Sequence, residues 1–200
     1  MAALNISGNW VMDKTRSANL DAVLKLQGIR WITRKVIGTS TMTLKITQVS
    51  DTNGSTGEPV EWMTLEAALT GGLKGVPERR PLTWTEFEHD DTIFGPVVIR
   101  SHYVSEKRNS GGRVCPLVEL QTKDAGCLVE AVVVGQDGEA AEATIEKAFI
   151  HDFVRSMDYG WTAEQIWTVE IVGEETYLTR RIVVVKGSSS ESAIVFYKRD

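Results

Sequence analysis

Residues 8–47, GNWVMDKTRSANLDAVLKLQGIRWITRKVIGTSTMTLKIT, are the stretch whose reading decides the fold. They begin within a short strand, ISGNWVM at 6–12, which a polar break from Asp13 to Arg16 ends. Ser17 then stands where an N-cap would, and Leu20, Val23, Leu24 and Gln27 keep a helical spacing that stops at Gly28. Ile29, Ile32, Lys35 and Val36 repeat that spacing and predict a second helix over 29–38. From Thr41 the period drops to two. Met42, Leu44 and Ile46 alternate with Thr43, Lys45 and Thr47, the pattern of a strand with one face in a core. A helix-turn-helix therefore interrupts a β-structure between its first and second strands.

The same alternation continues outward from this stretch. DTNGSTGEP has turn chemistry at nearly every position, and the return strand is expected at 60–69. TGGLKG leads into a strand at 80–88, and HDDT into another at 96–104. At the far end, WTAEQIWTVEIV, a turn at Gly173 and Glu174, YLTRRIVVV, a turn at KGSSS, and AIVFYK read as three hairpin strands. Between these blocks, 105–147 is predicted to be an enlarged loop region around one strand at 126–134. Ala141, Ile145, Phe149, Phe153 and Met157 recur every four positions, which argues for a helix, whereas FIHDFV alone suits a strand. The expectation for 138–157 is a short helix giving way to a strand near Ala148. About ten antiparallel strands without crossover helices predict an all-β closed barrel, since closure removes exposed edges.

With 200 residues, 42% hydrophobic and 24% charged, the chain is expected to form a single domain over 1–200. Its net charge of -5, with basic residues scattered, excludes the concentrated positive footprint that nucleic acid requires. MAALNISGNW has no basic start or long apolar run, and no stretch approaches the ~20 apolar residues of a membrane span. The expectations are a cytoplasmic location, no stable membrane insertion, and two reduced thiols at Cys115 and Cys127. A nucleophile elbow, phosphate loop, dinucleotide fingerprint and metal spacing are all missing from the sequence, so neither a cofactor nor a metal is expected. Oligomeric state has no signature here.

Residues 8–47 also resemble the start of an intracellular fatty-acid-binding protein. The likeness lies in the Gly-x-Trp of Gly8 and Trp10, the S-x-N-apolar-D opening at Ser17, Gly28 between the helices, the aromatic-x-Thr-Arg-Lys from Trp31, and the alternation of strand two. TWTEFEHDDTIFG resembles that family's junction between its fourth and fifth strands, and VFYKRD its last strand. LTGG, RPLTW, HDDTIFG and WTAEQIW are similar to a group of fungal lipocalin-like proteins of unsettled activity. The resemblance implies a ten-stranded calycin barrel around a lipid, with the helical pair as a lid. By carry-over, Leu20, Leu24, Ile29 and Val36 line the underside of the lid and Trp10 faces the closed end. Tyr197 takes the tyrosine of the family's Arg-x-Tyr, but Val195 stands at its arginine and Thr168 at the second arginine. A buried carboxylate without a cation is costly, so these departures imply a neutral ligand or a polar group met by other residues.

Arg80, Glu86, Glu88, Arg100, His102, Glu170, Arg180 and Arg181 lie in expected strands, and strand parity sends about half of such residues outward. Arg100 and His102 share a face with Val98 and Val104, and Arg180 shares one with Leu178, Ile182 and Val184. Either face could be the inner one. His89, Asp90 and Asp91 are read as a capped turn rather than a metal site. Most of the six tryptophans suit packing, while Trp62, Trp84 and Trp167 are candidates to flank a ligand together with Trp10 and Val195. The expected function is to bind a small, largely apolar lipid, terpenoid or polyketide-like molecule as a carrier. The alternative is a cofactor-independent cyclase, isomerase or pericyclase of secondary metabolism, with Tyr197, Arg100, His102 and Arg180 as catalytic groups.

Overall fold

The computed structural model describes residues 4–52, 57–109, 113–134 and 147–200. Its elements are β1 (Gly8–Ala18), α1 (Leu20–Leu26), α2 (Trp31–Thr39), β2 (Met42–Thr52), β3 (Pro59–Leu69), β4 (Glu78–Pro81), β5 (Phe87–Asp91), β6 (Gly95–Val104), β7 (Glu106–Arg108) and β8 (Val114–Pro116). These are followed by a 3-10 turn (Gly126–Val129), β9 (Phe149–Ser156), β10 (Trp161–Val172), β11 (Glu175–Lys186) and β12 (Ser189–Arg199). Ten strands form one antiparallel sheet in the order β4-β3-β2-β1-β12-β11-β10-β9-β6-β5, while β7 and β8 form a separate hairpin. The sheet curls until its edges approach. Beyond β4, Thr83 pairs with His102 of β6, and the Trp84 N–H donates to the Ser101 carbonyl at 2.8 Å. The molecule is thus an all-β, nearly closed ten-stranded barrel with two helices after its first strand, as the alternation of the sequence predicts.

Several local expectations are corrected. β1 does not end at Asp13 but runs to Ala18, with a register shift between Asp13 and Ala18. The Asp13 carboxylate accepts the Thr15 and Arg16 N–H groups there, so the polar break is an irregularity within the strand. Asn19, at φ 62, stands at the N-cap of α1, while the Ser17 hydroxyl donates to the Asp13 carbonyl. The single strand expected at 80–88 is two strands, because Trp84 at φ 62 turns the chain between them. The strand expected at 126–134 is a 3-10 turn followed by one bridge, Val132 to Val114.

Phe149–Ser156 is strand throughout. A spacing of four residues is two strand periods as well as about one helical turn, which is why Phe149 and Phe153 suit both readings. The helix expected before Ala148 falls on 138–146, outside the described residues. Both faces of this part of the sheet are covered. Inward, Trp10, Leu44, Ile46, Met63, Val97, Ile99, Trp161 and Trp167 belong to the barrel core. Outward, Val104, Phe149, Ile166 and Val183 pack against Val114, Ala125, Leu128 and Val132 of the segment between β6 and β9. Burial on both faces erases the inside-outside alternation that marks β2.

Candidate functional site

A cavity of about 180 Å³ lies inside the barrel beneath the two helices. Leu20, Val23, Leu24 and Ile37 close it from the lid, and Leu44, Leu65, Val97, Ile99, Val154 and Ile182 line its walls. Its polar end is built by strand register. Arg180 pairs with Trp167 on one side and Val195 on the other, and Tyr197 follows two residues after Val195, so all four side chains share the inner face. Arg180 Nε donates to Gln165 Oε1 at 2.5 Å, its guanidinium lies 4.6 Å from the centre of the Trp167 ring, and its charge acts on the Tyr197 hydroxyl. Burial raises the pKa of that phenol, Arg180 opposes the rise, and the net upward shift keeps Tyr197 a donor.

Asp152 supports this group from below. Its carboxylate accepts Arg80 Nη2 at 2.6 Å, Trp167 Nε1 at 2.7 Å and Ser101 Oγ at 2.6 Å, and Arg80 is also paired with Glu78. Arg80 is therefore held between two carboxylates. Arg180 makes no ion pair with a carboxylate among the described residues, and Gln165, Trp167 and Tyr197 beside it are neutral. The guanidinium absent at Val195 has in effect moved one strand across the ladder. Gln165, not Thr168, faces the cavity from β10, while the Thr168 hydroxyl faces outward and donates to the Ala148 carbonyl at 3.4 Å.

Of the binding and catalytic residues nominated from sequence, Leu20, Leu24, Trp167, Arg180, Val195 and Tyr197 line this cavity, as do Arg80 and Asp91 among the other polar residues weighed there. The remaining binding and catalytic candidates do not. Trp10 is buried in the core beside the cavity and donates Nε1 to the Ile6 carbonyl at 2.8 Å. Ile29 packs with Leu24, Ile37 and Leu69 in the lid cluster, and Val36 is 41% exposed, because Ile37 is the residue α2 turns inward. Trp62 lies under Arg79, whose guanidinium is 4.4 Å from the ring centre. Arg100 pairs with Glu86 at 2.5 Å on the outer face.

His102 is also on that outer face. Its Nε2 meets His151 Nδ1 at 3.0 Å, His151 Nε2 meets Glu164 Oε1 at 2.7 Å, and Trp84 packs on both imidazoles, 4.3 Å from His102 and 4.7 Å from His151. Burial and the neighbouring His151 push His102 down to about 4. Burial works to raise Glu164, but hydrogen bonds from His151 and from the Gln121 and Thr122 N–H groups hold its carboxyl below the usual range. These groups fasten the segment between β6 and β9 to the barrel, away from the cavity. Asp91 caps its turn by accepting the Ile93 and Phe94 N–H groups, and among the described residues no three His, Cys, Asp or Glu side chains cluster as metal ligands.

Sequence reasoning missed Asp152, Gln165 and Ser101 as parts of the site. The available signal was Asp152, an acid inside the apolar run FIHDFV, which is tolerable only with a buried partner.

The barrel superposes over most of its length on three solved structures. The fluorescent protein UnaG matches with a TM-score of 0.53 and 14% identity, over 98% of this chain and 97% of that one. Fatty-acid-binding protein 1 of Echinococcus granulosus gives 0.52 and 12%, over 97% and 96%. A variant of the REP1-NXSQ fatty acid transporter gives 0.50 and 10%, over 98% of each. The fold is that of the fatty-acid-binding proteins. At these identities the likeness concerns the fold alone. No protein-family model and no curated protein sequence matches the chain. Within this fatty-acid-binding fold, the outer segment between β6 and β9 lies apart from the cavity, and Cys115 and Cys127 are both free thiols. Among the described residues, no helix is long and apolar enough to cross a membrane.

Proposed function

We propose that this protein is a binding or carrier protein that takes a compact, largely apolar molecule into the barrel, with an acidic group of that molecule meeting Arg180 and Tyr197. The observation that carries the reading is Arg180, a cavity cation whose partners among the described residues are all neutral. An anionic head group gains a charge-assisted hydrogen bond there, and the apolar remainder gains roughly 25 cal/mol for each Å² removed from water. The neutral ligand implied by Val195 and Thr168 loses its reason once Arg180 stands in the same place. A volume of about 180 Å³, below the roughly 300–1,000 Å³ of drug-sized sites, favours a compact guest. The names of two of the structural neighbours, a fatty-acid-binding protein and a fatty acid transporter, agree with such a guest. The cyclase alternative has no observation of its own, since the donors that would serve a transition state are those that would hold a head group.

Titration calorimetry with decanoate and decanol tests this reading. Decanoate is expected to bind the wild-type chain, and Arg180→Met to weaken it by about 10- to 100-fold, the worth of a hydrogen bond to a charged group, while decanol changes little. If neither compound binds, and a wider panel of hydrophobic molecules also fails, the carrier reading is wrong.

A further inference from the structure

Trp161 opens β10 at the lid end of the cavity, where Phe94 packs both on its ring and on the lid cluster of Leu24 and Ile37. The indole is 2% exposed and lines the cavity, yet its Nε1–H meets no acceptor among the described residues. The other two deeply buried tryptophans are satisfied, Trp10 by the Ile6 carbonyl and Trp167 by Asp152. An indole nitrogen only donates, buried donors are nearly always paired, and the edge-to-face ring of Phe94, 5.9 Å away, is at best a weak acceptor. Gln165 shares the inner face of β10 with Trp161, and the four residue steps from one to the other span about 13 Å of strand. Ala163 and its partner Val154 line the cavity between these levels, Ile182 lines it opposite Gln165, and none of them supplies a polar side chain. On its β9–β11 wall the cavity therefore has a polar group at each end and an apolar stretch between them.

We infer that the ligand carries oxygen at both ends: an acid at Arg180 and Tyr197, and a hydroxyl, carbonyl or ether oxygen at the far end of its apolar chain that accepts from Trp161 Nε1–H. This inference rests on the carrier reading and names the class of guest. Trp161 then sets specificity, because a site that offers a buried donor discriminates against the analogue lacking the acceptor.

The test compares decanoate with ω-hydroxydecanoate on the full chain by titration calorimetry, for the wild type, Trp161→Phe and Arg180→Met. The wild type is expected to prefer the hydroxy acid by about tenfold, and Trp161→Phe to abolish that preference, whatever the change in affinity the two acids share. Indole ¹H–¹⁵N NMR of the wild type supplies a readout that does not depend on the variant folding: the assigned Trp161 resonance should move downfield with the hydroxy acid and not with decanoate. Suppose both acids bind alike, the Trp161 resonance is the same in both complexes, and Arg180→Met weakens both. The two-ended guest is then refuted and the carrier reading survives. If neither acid binds the wild type, both fall together.

Discussion

Asp152 is the residue on which the polar end of the cavity depends. Buried at 2% exposure, it gathers Arg80, Trp167 and Ser101 on one carboxylate, and through Trp167 it fixes the ring over which Arg180 lies. Removing one member of a buried ion pair strands the other, at a cost of about 3–5 kcal/mol. Asp152→Asn should therefore lower stability by about 3 kcal/mol in urea denaturation, toward the smaller figure because Glu78 still meets Arg80. Adding Arg80→Met should recover part of that loss. A single variant within 0.5 kcal/mol of wild type would show that the pair is not held as described.

At the scale of elements, the segment between β6 and β9 is a second layer fastened to the barrel by a few contacts. Glu164 is its main polar anchor, accepting the Gln121 and Thr122 N–H groups at 2.8 and 2.7 Å as well as His151. Glu164→Gln replaces a two-oxygen acceptor by one oxygen and an NH₂ that has no place against two N–H donors. Amide exchange over 117–134 should accelerate at least tenfold in this variant, while β2 and β3 keep their protection, since regions open in separate cooperative units. Uniform protection across the chain would show that the layer and the barrel unfold as one. From sequence this region reads as an enlarged loop around one strand at 126–134, because its apolar residues, among them Val118, Leu120, Leu128 and Val132, keep no sustained period and their partners lie on strands distant along the chain.

For the whole molecule, acid and alkali should both destabilise the fold. His102 has an ordinary pKa of 6.5 and a folded one of about 4, so between those values the unfolded chain binds more protons and stability falls as pH drops. The linkage allows about 3 kcal/mol, reduced to roughly 1–2 because the ring is only partly buried. Asp13, Glu61 and Glu164 are held below their ordinary values, and their contribution is lost at still lower pH. Burial raises Cys127, Tyr103 and Tyr197, so the folded chain keeps protons that the unfolded chain releases, and stability declines above about pH 9. Melting temperature measured across pH should show a plateau from about 6.5 to 9, with His102→Gln flattening the limb between 4 and 6.5. A wild-type profile level down to pH 4.5 would contradict this account.

The sequence by itself determined the barrel, its helical lid and the last three hairpin strands, because residues 8–47 and 161–199 carry their periods locally and their turns are written in glycine, serine and aspartate. It also brought forward Arg180, Tyr197, Trp167, Val195, Leu20 and Leu24, all of which line the cavity. Only the tertiary structure decided which face of each other strand turns inward. Arg100 and His102 look apolar-flanked because their outer face is itself covered, so parity alone gives no sign of direction. Likewise, Arg180 opposite Val195 is set by ladder register across 15 residues and Asp152 beside Arg80 by the curling of the sheet across 72, and a linear pattern carries no such distance.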